Sequence, residues 1–99
     1  MLAISSDNTV EWDGMTDPTG AYLNAATVTC QVKDSADSTT ATGITLTYVA
    51  GSNGKYRGTI PSTTSLTEEA TYYVEVTAVE GSNNGFRRTR EIAKYRTYQ

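Results

Sequence analysis

Residues 66–78 read LTEEATYYVEVTA, and this stretch decides the fold of the chain. Tyr72, Val74 and Val76 occupy every second position, and mostly polar side chains lie between them. Successive side chains of a β-strand point to opposite faces, so the alternation predicts a strand that buries one face. The polar residues at 62–70 precede the strand and are predicted to form the loop that leads into it.

Tyr72 follows Leu66 by six residues, at the start of the predicted strand. The segment resembles the tyrosine corner of immunoglobulin-like and fibronectin type III sandwiches, in which a tyrosine of the penultimate strand hydrogen-bonds nearby backbone. Glu68 and Glu69 replace the proline and glycine that are usual in the loop of this corner. The resemblance implies that Tyr72 folds under the loop and bonds its backbone.

The rest of the chain favours strands as well. Its 99 residues are rich in Thr, Val and Tyr, which pack well on a pleated surface, and no segment repeats with a helical period. Short alternating runs separated by turns add up to about seven strands, as in a single immunoglobulin-like or fibronectin-III-like antiparallel β-sandwich. We therefore predict an all-β domain over 1–99, with 1–7 a short N-terminal arm, 34–43 a mobile polar connection and 96–99 a short C-terminal tail.

The alternation also predicts which side chains form the core. Cys30 is the only cysteine, so no intrachain disulfide can form, and its apolar neighbours two positions away predict a small buried hydrophobe rather than a reactive thiol. Trp12 alternates with Val10, which favours core packing over a role in an exposed aromatic platform. The predicted core is Val28, Cys30, Val32, Leu46, Tyr48, Tyr56, Ile60, Tyr72, Val74 and Val76.

Charge is unevenly distributed along the chain. The net charge is −3, which argues against nonspecific binding of nucleic acid, yet five of the eight basic residues lie after position 85. A basic strip on an acidic body predicts contact with an acidic protein surface, although cations on a final edge strand can also simply prevent aggregation. The predicted partner interface is Arg87, Arg88, Arg90, Lys94, Tyr95, Arg96 and Tyr98, together with Tyr22.

The residue types that catalysis commonly uses are scarce. The chain has no histidine, which removes the most frequent general base and metal ligand. The pair Glu68 and Glu69 lies in a polar loop without an apolar pocket, and Asp13 and Asp17 match no known calcium loop, although a calcium ion there is a minor alternative. The sequence predicts no enzymatic activity, cofactor, metal or small-molecule substrate. It also predicts no export signal and no membrane span.

A family resemblance covers most of the chain from Asp7 to Arg96. Residues 13–29, DGMTDPTGAYLNAATVT, and residues 46–61, LTYVAGSNGKYRGTIP, look like the small immunoglobulin-like proteins encoded among the virion genes of tailed bacteriophages. The resemblance implies a structural protein of the virion, made in the cytoplasm of the bacterial host and bound to other virion proteins. The leading expectation is a capsid decoration or cement subunit present in many copies, and the alternative is a neck or head–tail adaptor protein.

A second hypothesis belongs to another class of function. Loops at the ends of β-sandwiches often carry binding sites, and Trp12 and Tyr22 are aromatic residues beside such loops. A module that binds glycans or a host surface would use them, and it would bind its ligand without an assembled particle.

Overall fold

A computed structural model of the chain describes residues 1–95, and in that range every regular element is a β-strand. None of the described residues forms a helix able to cross a membrane. The prediction of an all-β chain with about seven strands and no disulfide is confirmed. The strands are β1 (Leu2–Ala3), β2 (Asn8–Trp12), β3 (Thr27–Asp34), β4 (Thr39–Tyr48), β5 (Tyr56–Ile60), β6 (Thr71–Glu80) and β7 (Asn83–Lys94).

Hydrogen bonds link the seven strands into one mixed sheet in the order β1-β7-β6-β3-β4-β5-β2. All neighbours are antiparallel except β1 and β7, which run parallel. Strand β4 joins the two halves, because residues 39–46 pair with β3 whereas Thr47 and Tyr48 pair with β5. The sheet curls so far that it nearly closes into a barrel, and its two end strands, β1 and β2, are consecutive in the chain.

The central strands show why the alternating sequence gives this core. In the register of β3 and β6, Val28 lies opposite Ala78 and Cys30 opposite Val76, so apolar residues meet across the pair on one face. All four side chains are buried, and burying a valine side chain contributes about 1.5–3 kcal/mol. Of the predicted core residues, Tyr48 is half-buried and packs against the core, while those that are buried are Val28, Cys30, Val32, Leu46, Tyr56, Ile60, Tyr72, Val74 and Val76.

Other core residues come from outside the alternating runs. Leu2 belongs to β1 and Ile4 follows it directly, and Met15 and Leu23 come from the loop between β2 and β3. Trp12 is half-buried against the core, as its alternation with Val10 predicts.

The structure corrects the prediction that residues 34–43 form a connection, because the second half of this segment belongs to a strand. Strand β4 begins at Thr39, and only a tight turn separates it from β3. The Asp34 carboxylate accepts hydrogen bonds from the amides of Ala36 and Ser38, both at 2.9 Å, and this bonding closes the turn. The threonines that follow are polar but branched, so they form a strand readily.

The N-terminal segment 1–7 was predicted to be an arm, and this prediction was wrong for its first residues. Leu2 and Ala3 are buried and pair with Ala93 and Lys94 of β7. The side chain of Asn8 fixes the reversal into β2, because its Oδ1 accepts from the Ala3 amide at 2.8 Å and its Nδ2 donates to the Ala3 carbonyl at 3.0 Å.

The hydrogen bond between Tyr72 and the backbone of the preceding loop, which the resemblance implies, is present. Tyr72 is buried, and its hydroxyl accepts a hydrogen bond from the backbone amide of Thr67 at 2.7 Å. The loop is also held to β7, since the Glu69 amide donates to the Ala93 carbonyl at 2.8 Å.

Candidate protein-binding face

Strand β7 divides the predicted basic strip between two faces of the sheet. Arg88, Arg90 and Lys94 project to solvent, whereas Arg87 lies on the other side, in register with the buried Val76. Alternation along a strand requires this separation, so adjacent arginines in the sequence do not form one patch. Of the other residues predicted for the interface, Tyr95 is exposed just after β7, Tyr22 lies in the separate loop between β2 and β3, and Arg96 and Tyr98 fall outside the described residues.

Glu75 is the centre of the solvent-facing side of β3, β6 and β7, which we call the outer face. It is only 5% exposed, although it carries a charge and lies on the side away from the core. Gln31 Nε2 donates to Glu75 Oε1 at 2.8 Å, Lys33 Nζ lies 3.7 Å from that oxygen, and Arg88 Nη1 lies 3.4 Å from Glu75 Oε2. The carboxylate is thus covered by its own partners, and a buried charge requires such pairing.

Arg88 is held on two sides. Besides its ion pair with Glu75, its guanidinium carbon lies 4.1 Å from the centre of the Tyr73 ring, in cation–π contact. The side chain is still 43% exposed, so part of the guanidinium faces solvent. A cation that is already oriented loses less conformational entropy when it binds an acidic group than a free one does.

An exposed apolar side chain lies beside this charged cluster. Phe86 is 61% exposed and is in register with Thr77, next to the row that contains Glu75 and Arg88. Val79 is also exposed on this face. On the β4 side the face has an open hollow of about 380 Å³, produced where the register of β3 and β4 is irregular. The outer face therefore combines an apolar protrusion, an oriented cation and a recess.

No group of three or more His, Cys, Asp and Glu side chains among residues 1–95 is arranged to hold a metal ion. Burial raises the pKa of the Cys30 thiol to about 11, so the thiol stays protonated and weakly nucleophilic at neutral pH.

A second recess lies at one end of the sheet, beside Trp12. This end cleft has a volume of about 550 Å³ and lies between the β2–β3 loop and the β6–β7 turn. Asp17 lines it, but its Oδ1 already accepts from the Thr19 hydroxyl at 2.7 Å and from the amides of Thr19 and Ala21 at 2.9 and 3.1 Å. These bonds lower the pKa of Asp17, the Thr19 hydroxyl having the largest effect and the Ala21 amide the next. Asp17 thus shapes the loop.

The sequence indicated part of the outer face and missed its centre. Arg88 and Arg90 belonged to the predicted basic strip, but Glu75 and Tyr73 were assigned only to a strand. Period-two alternation places positions 73, 75 and 77 on one face, but only the register of β3, β6 and β7 places Gln31, Lys33 and Arg88 around Glu75.

Comparison of the chain with family models, with curated proteins and with solved structures finds no match.

Proposed function

We propose that this protein is a non-catalytic structural protein that binds another protein through its outer face. The observation that carries the proposal is Phe86, a large apolar side chain 61% exposed beside the oriented Arg88. Aromatic and arginine side chains supply most of the energy at protein interfaces, the first through buried area and the second through directed hydrogen bonds. The partner would present an acidic group to Arg88 and an apolar pocket to Phe86.

The partner that we propose is another virion protein, such as the major capsid protein. The support comes from the resemblance of residues 13–29 and 46–61 to immunoglobulin-like accessory proteins of tailed bacteriophages. In this proposal the fold is an immunoglobulin-like sandwich in which β4 connects the two layers, and the protein decorates or cements the capsid in many copies. It would be made in the bacterial cytoplasm and incorporated into the virion.

Particles assembled with and without this protein test the cement role. The expected result is that particles with the protein resist heat and osmotic shock better, because a cement subunit bridges neighbouring capsid proteins. Equal resistance would exclude that role. The neck or adaptor alternative predicts only a few copies per particle, in a multiple of a ring symmetry, so the copy number relative to the major capsid protein separates the two positions.

Substitution of Phe86 by serine tests the outer face itself. Phe86 is exposed, so F86S should keep the thermal stability of the protein and weaken its binding to particles at least tenfold. Tyr22→Ser is the matched control, because Tyr22 is also an exposed aromatic residue, 51% exposed, but lies in the β2–β3 loop. If Y22S weakens binding and F86S does not, the contact lies in the loop and not on the outer face.

The end cleft favours a second candidate function, a module that binds glycans or a host surface. An aromatic ring and several polar groups line it, including Trp12, Asn83 and Asn84, and aromatic faces with amides are common in sugar sites. A glycan array with the purified protein tests this alternative. Binding that is lost in Asn84→Ala but kept in F86S would favour the glycan module over the structural protein.

A further inference from the structure

The two edges of β7 differ in their pairing. Towards β6 the register is unbroken from Ile92, opposite Thr71, to Asn83, opposite Glu80. Towards the other side β1 covers only Ala93 and Lys94. Within the described chain, residues 83–91 therefore form an edge without a partner strand, although β7 is not the last strand of the sheet.

The backbone hydrogen bonds show which groups face this open edge. The Lys94 carbonyl accepts a hydrogen bond from the Ile4 amide at 2.9 Å, so the backbone groups of Lys94 point towards β1. The Ala93 amide donates to the Ala70 carbonyl at 3.0 Å, so the backbone groups of Ala93 point towards β6. Amide and carbonyl groups alternate in direction along an antiparallel strand, and the register has no bulge. It follows that the N–H and C=O groups of Phe86, Arg88 and Arg90 point out of the open edge.

A groove runs beside the open edge, between β7 and β2. It has a volume of about 200 Å³, enough for one or two small aliphatic side chains. The apolar side chains that line it are Val10, which is partly exposed, and Leu2, Ile60, Val74 and Val76, which are buried and form its floor. Arg87, Thr89 and Glu91 line it from β7.

Within residues 1–95, the charged groups that line the groove form ion pairs, with the exception of Arg87. Glu91 pairs with the N-terminal ammonium of Met1, and Glu11 pairs with Arg57 and Lys55, at 2.9 and 3.7 Å. Arg87 makes no ion pair with any residue in the described range 1–95, and it is exposed. Within the described chain, the groove therefore combines an apolar floor, unpaired backbone groups along β7 and one cation without an ion pair.

We propose that this groove binds an extended segment of a partner protein, which adds to β7 as a parallel strand in line with β1. In that register the residues of the segment opposite Thr89 and Glu91 point into the groove and are small and apolar, and the residue opposite Arg87 is acidic. Backbone hydrogen bonds give affinity in strand addition and the alternate side chains give specificity. The groove lies on the opposite side of β7 from the side chains of Phe86 and Arg88 and uses only the backbone of these residues, so the inference does not depend on the proposed function.

A second copy of the chain fits the open edge less well. Antiparallel contact of two β7 edges would bring Arg87, Arg88 and Arg90 of one copy close to the same residues of the other, and like charges at an edge oppose such pairing. A segment with an acidic residue meets the same edge with attraction.

The test uses the full chain and the blocked peptide acetyl-TETVTV-amide, in which the glutamate is placed opposite Arg87 and the valines opposite Thr89 and Glu91. Binding is followed by NMR, with amide hydrogen exchange measured at saturating peptide. Exchange of the Phe86, Arg88 and Arg90 amides should slow at least fivefold. The amides of Arg87 and Thr89, which face β6, serve as internal controls and should not change. Absence of saturable binding, or protection at other residues only, would overturn the proposal.

Charge reversal gives the second arm. The variant Arg87→Glu should bind the peptide roughly fivefold more weakly, and acetyl-TKTVTV-amide should restore its affinity. Arg90→Glu is the matched control, because it removes a neighbouring arginine whose side chain lies on the outer face. If R87E fails to fold, comparison of the two peptides on the natural protein replaces it. Equal affinity for both peptides would mean that Arg87 does not select the segment, and the proposed orientation would be wrong.

Discussion

Two buried tyrosines, Tyr56 and Tyr72, each use a hydroxyl group to hold a loop, but they work over different distances. Tyr72 accepts a bond from Thr67, only five residues earlier in the chain. Tyr56 donates to the Leu23 carbonyl at 2.7 Å and accepts from the Ala26 amide at 2.9 Å, about thirty residues away. Tyr72 fixes the loop that leads into its own strand, whereas Tyr56 holds a long loop from a distant part of the chain against the core.

The loop that Tyr56 holds, residues 13–26, is accordingly the more deeply integrated of the two. Met15 and Leu23 are buried, and the Met15 amide donates to the Gly54 carbonyl at 2.9 Å. Residues 61–70 lie largely at the surface. A long loop with few apolar residues can therefore become part of the core when residues in or beside a distant strand form hydrogen bonds with its backbone groups. Changes in the Tyr56 region should therefore cost more stability than equivalent changes near Tyr72.

Gly54→Ala should have the largest effect. A Cβ at Gly54 would lie 2.4 Å from the Met15 carbonyl oxygen, and the residue has a positive φ of 67°. Backbone would have to move, so we expect a loss of about 3 kcal/mol or more in the free energy of unfolding, measured by urea denaturation.

Gly51→Ala is the matched control for the contact with Met15. Gly51 also has a positive φ, 78°, but a Cβ there would meet nothing within 4 Å. This variant should lose only about 1 kcal/mol, the cost of a left-handed conformation with a side chain. Equal losses of stability in the two variants would show that the positive φ alone accounts for the cost. The close approach of the Met15 backbone to Gly54 would then not be the reason for a glycine at this position.

Tyr56→Phe should have the next largest effect. It removes the partner of the buried Leu23 carbonyl and of the Ala26 amide, and we expect a loss of about 2–3 kcal/mol in the free energy of unfolding. Tyr48→Phe is the control, since the Tyr48 ring lies 5.6 Å from that of Tyr56 but its hydroxyl bonds only the carbonyl of Ser52 in a surface turn. A larger loss in Y48F than in Y56F would contradict the assigned role of Tyr56.

Tyr72→Phe should cost less, about 1 kcal/mol, because one hydrogen bond is lost and the Thr67 amide that it leaves can reach water. Thermal denaturation of Y72F and Y56F side by side makes the comparison direct. If Y72F is the less stable of the two, the local hydrogen bond of Tyr72 contributes more to stability than the long-range hydrogen bonds of Tyr56.

The same two tyrosines show how far the sequence predicts this structure. Tyr72 was predictable because its partner and its strand lie in one short stretch, and the alternating sets around Val28, Leu46 and Val74 identified the core faces in the same way. The tether of Tyr56 to Leu23, the burial of Met15 and the cluster around Glu75 depend on which strands pair and in what register. A single sequence carries only weak information on which distant strands pair and in what register, so these features could not be predicted from the sequence.

The candidate site shows the same limit. The sequence predicted a basic strip near the C-terminus, and Arg88 and Arg90 do lie together on the outer face. Alternation was applied to the core but not to the strip itself, and for that reason Arg87 was grouped with residues on the opposite side of the sheet. Phe86 was absent from the predicted interface, although its polar neighbours at alternate positions, Asn84 and Arg88, indicate that it lies on the solvent face.

The smallest effect is expected at Asp17, in the loop that Tyr56 holds. Hydrogen bonds from the Thr19 hydroxyl and the Ala21 amide stabilise the carboxylate, so its pKa in the folded protein is lower than the usual 3.8. A lowered pKa means that the unfolded chain takes up the proton first on acidification. The contribution of Asp17 to stability is therefore fully present above pH 3.8 and is lost as the pH falls through the folded pKa. Asp17→Asn should have a slightly lower melting temperature than the natural protein at pH 7, and the difference should shrink as the pH falls below 3.8 and through the lowered pKa of the folded protein. Asp13→Asn, which neutralises an exposed aspartate in the same loop, is the control. A difference for Asp17→Asn that stays constant down to the lowest pH would mean that its charge does not stabilise the loop.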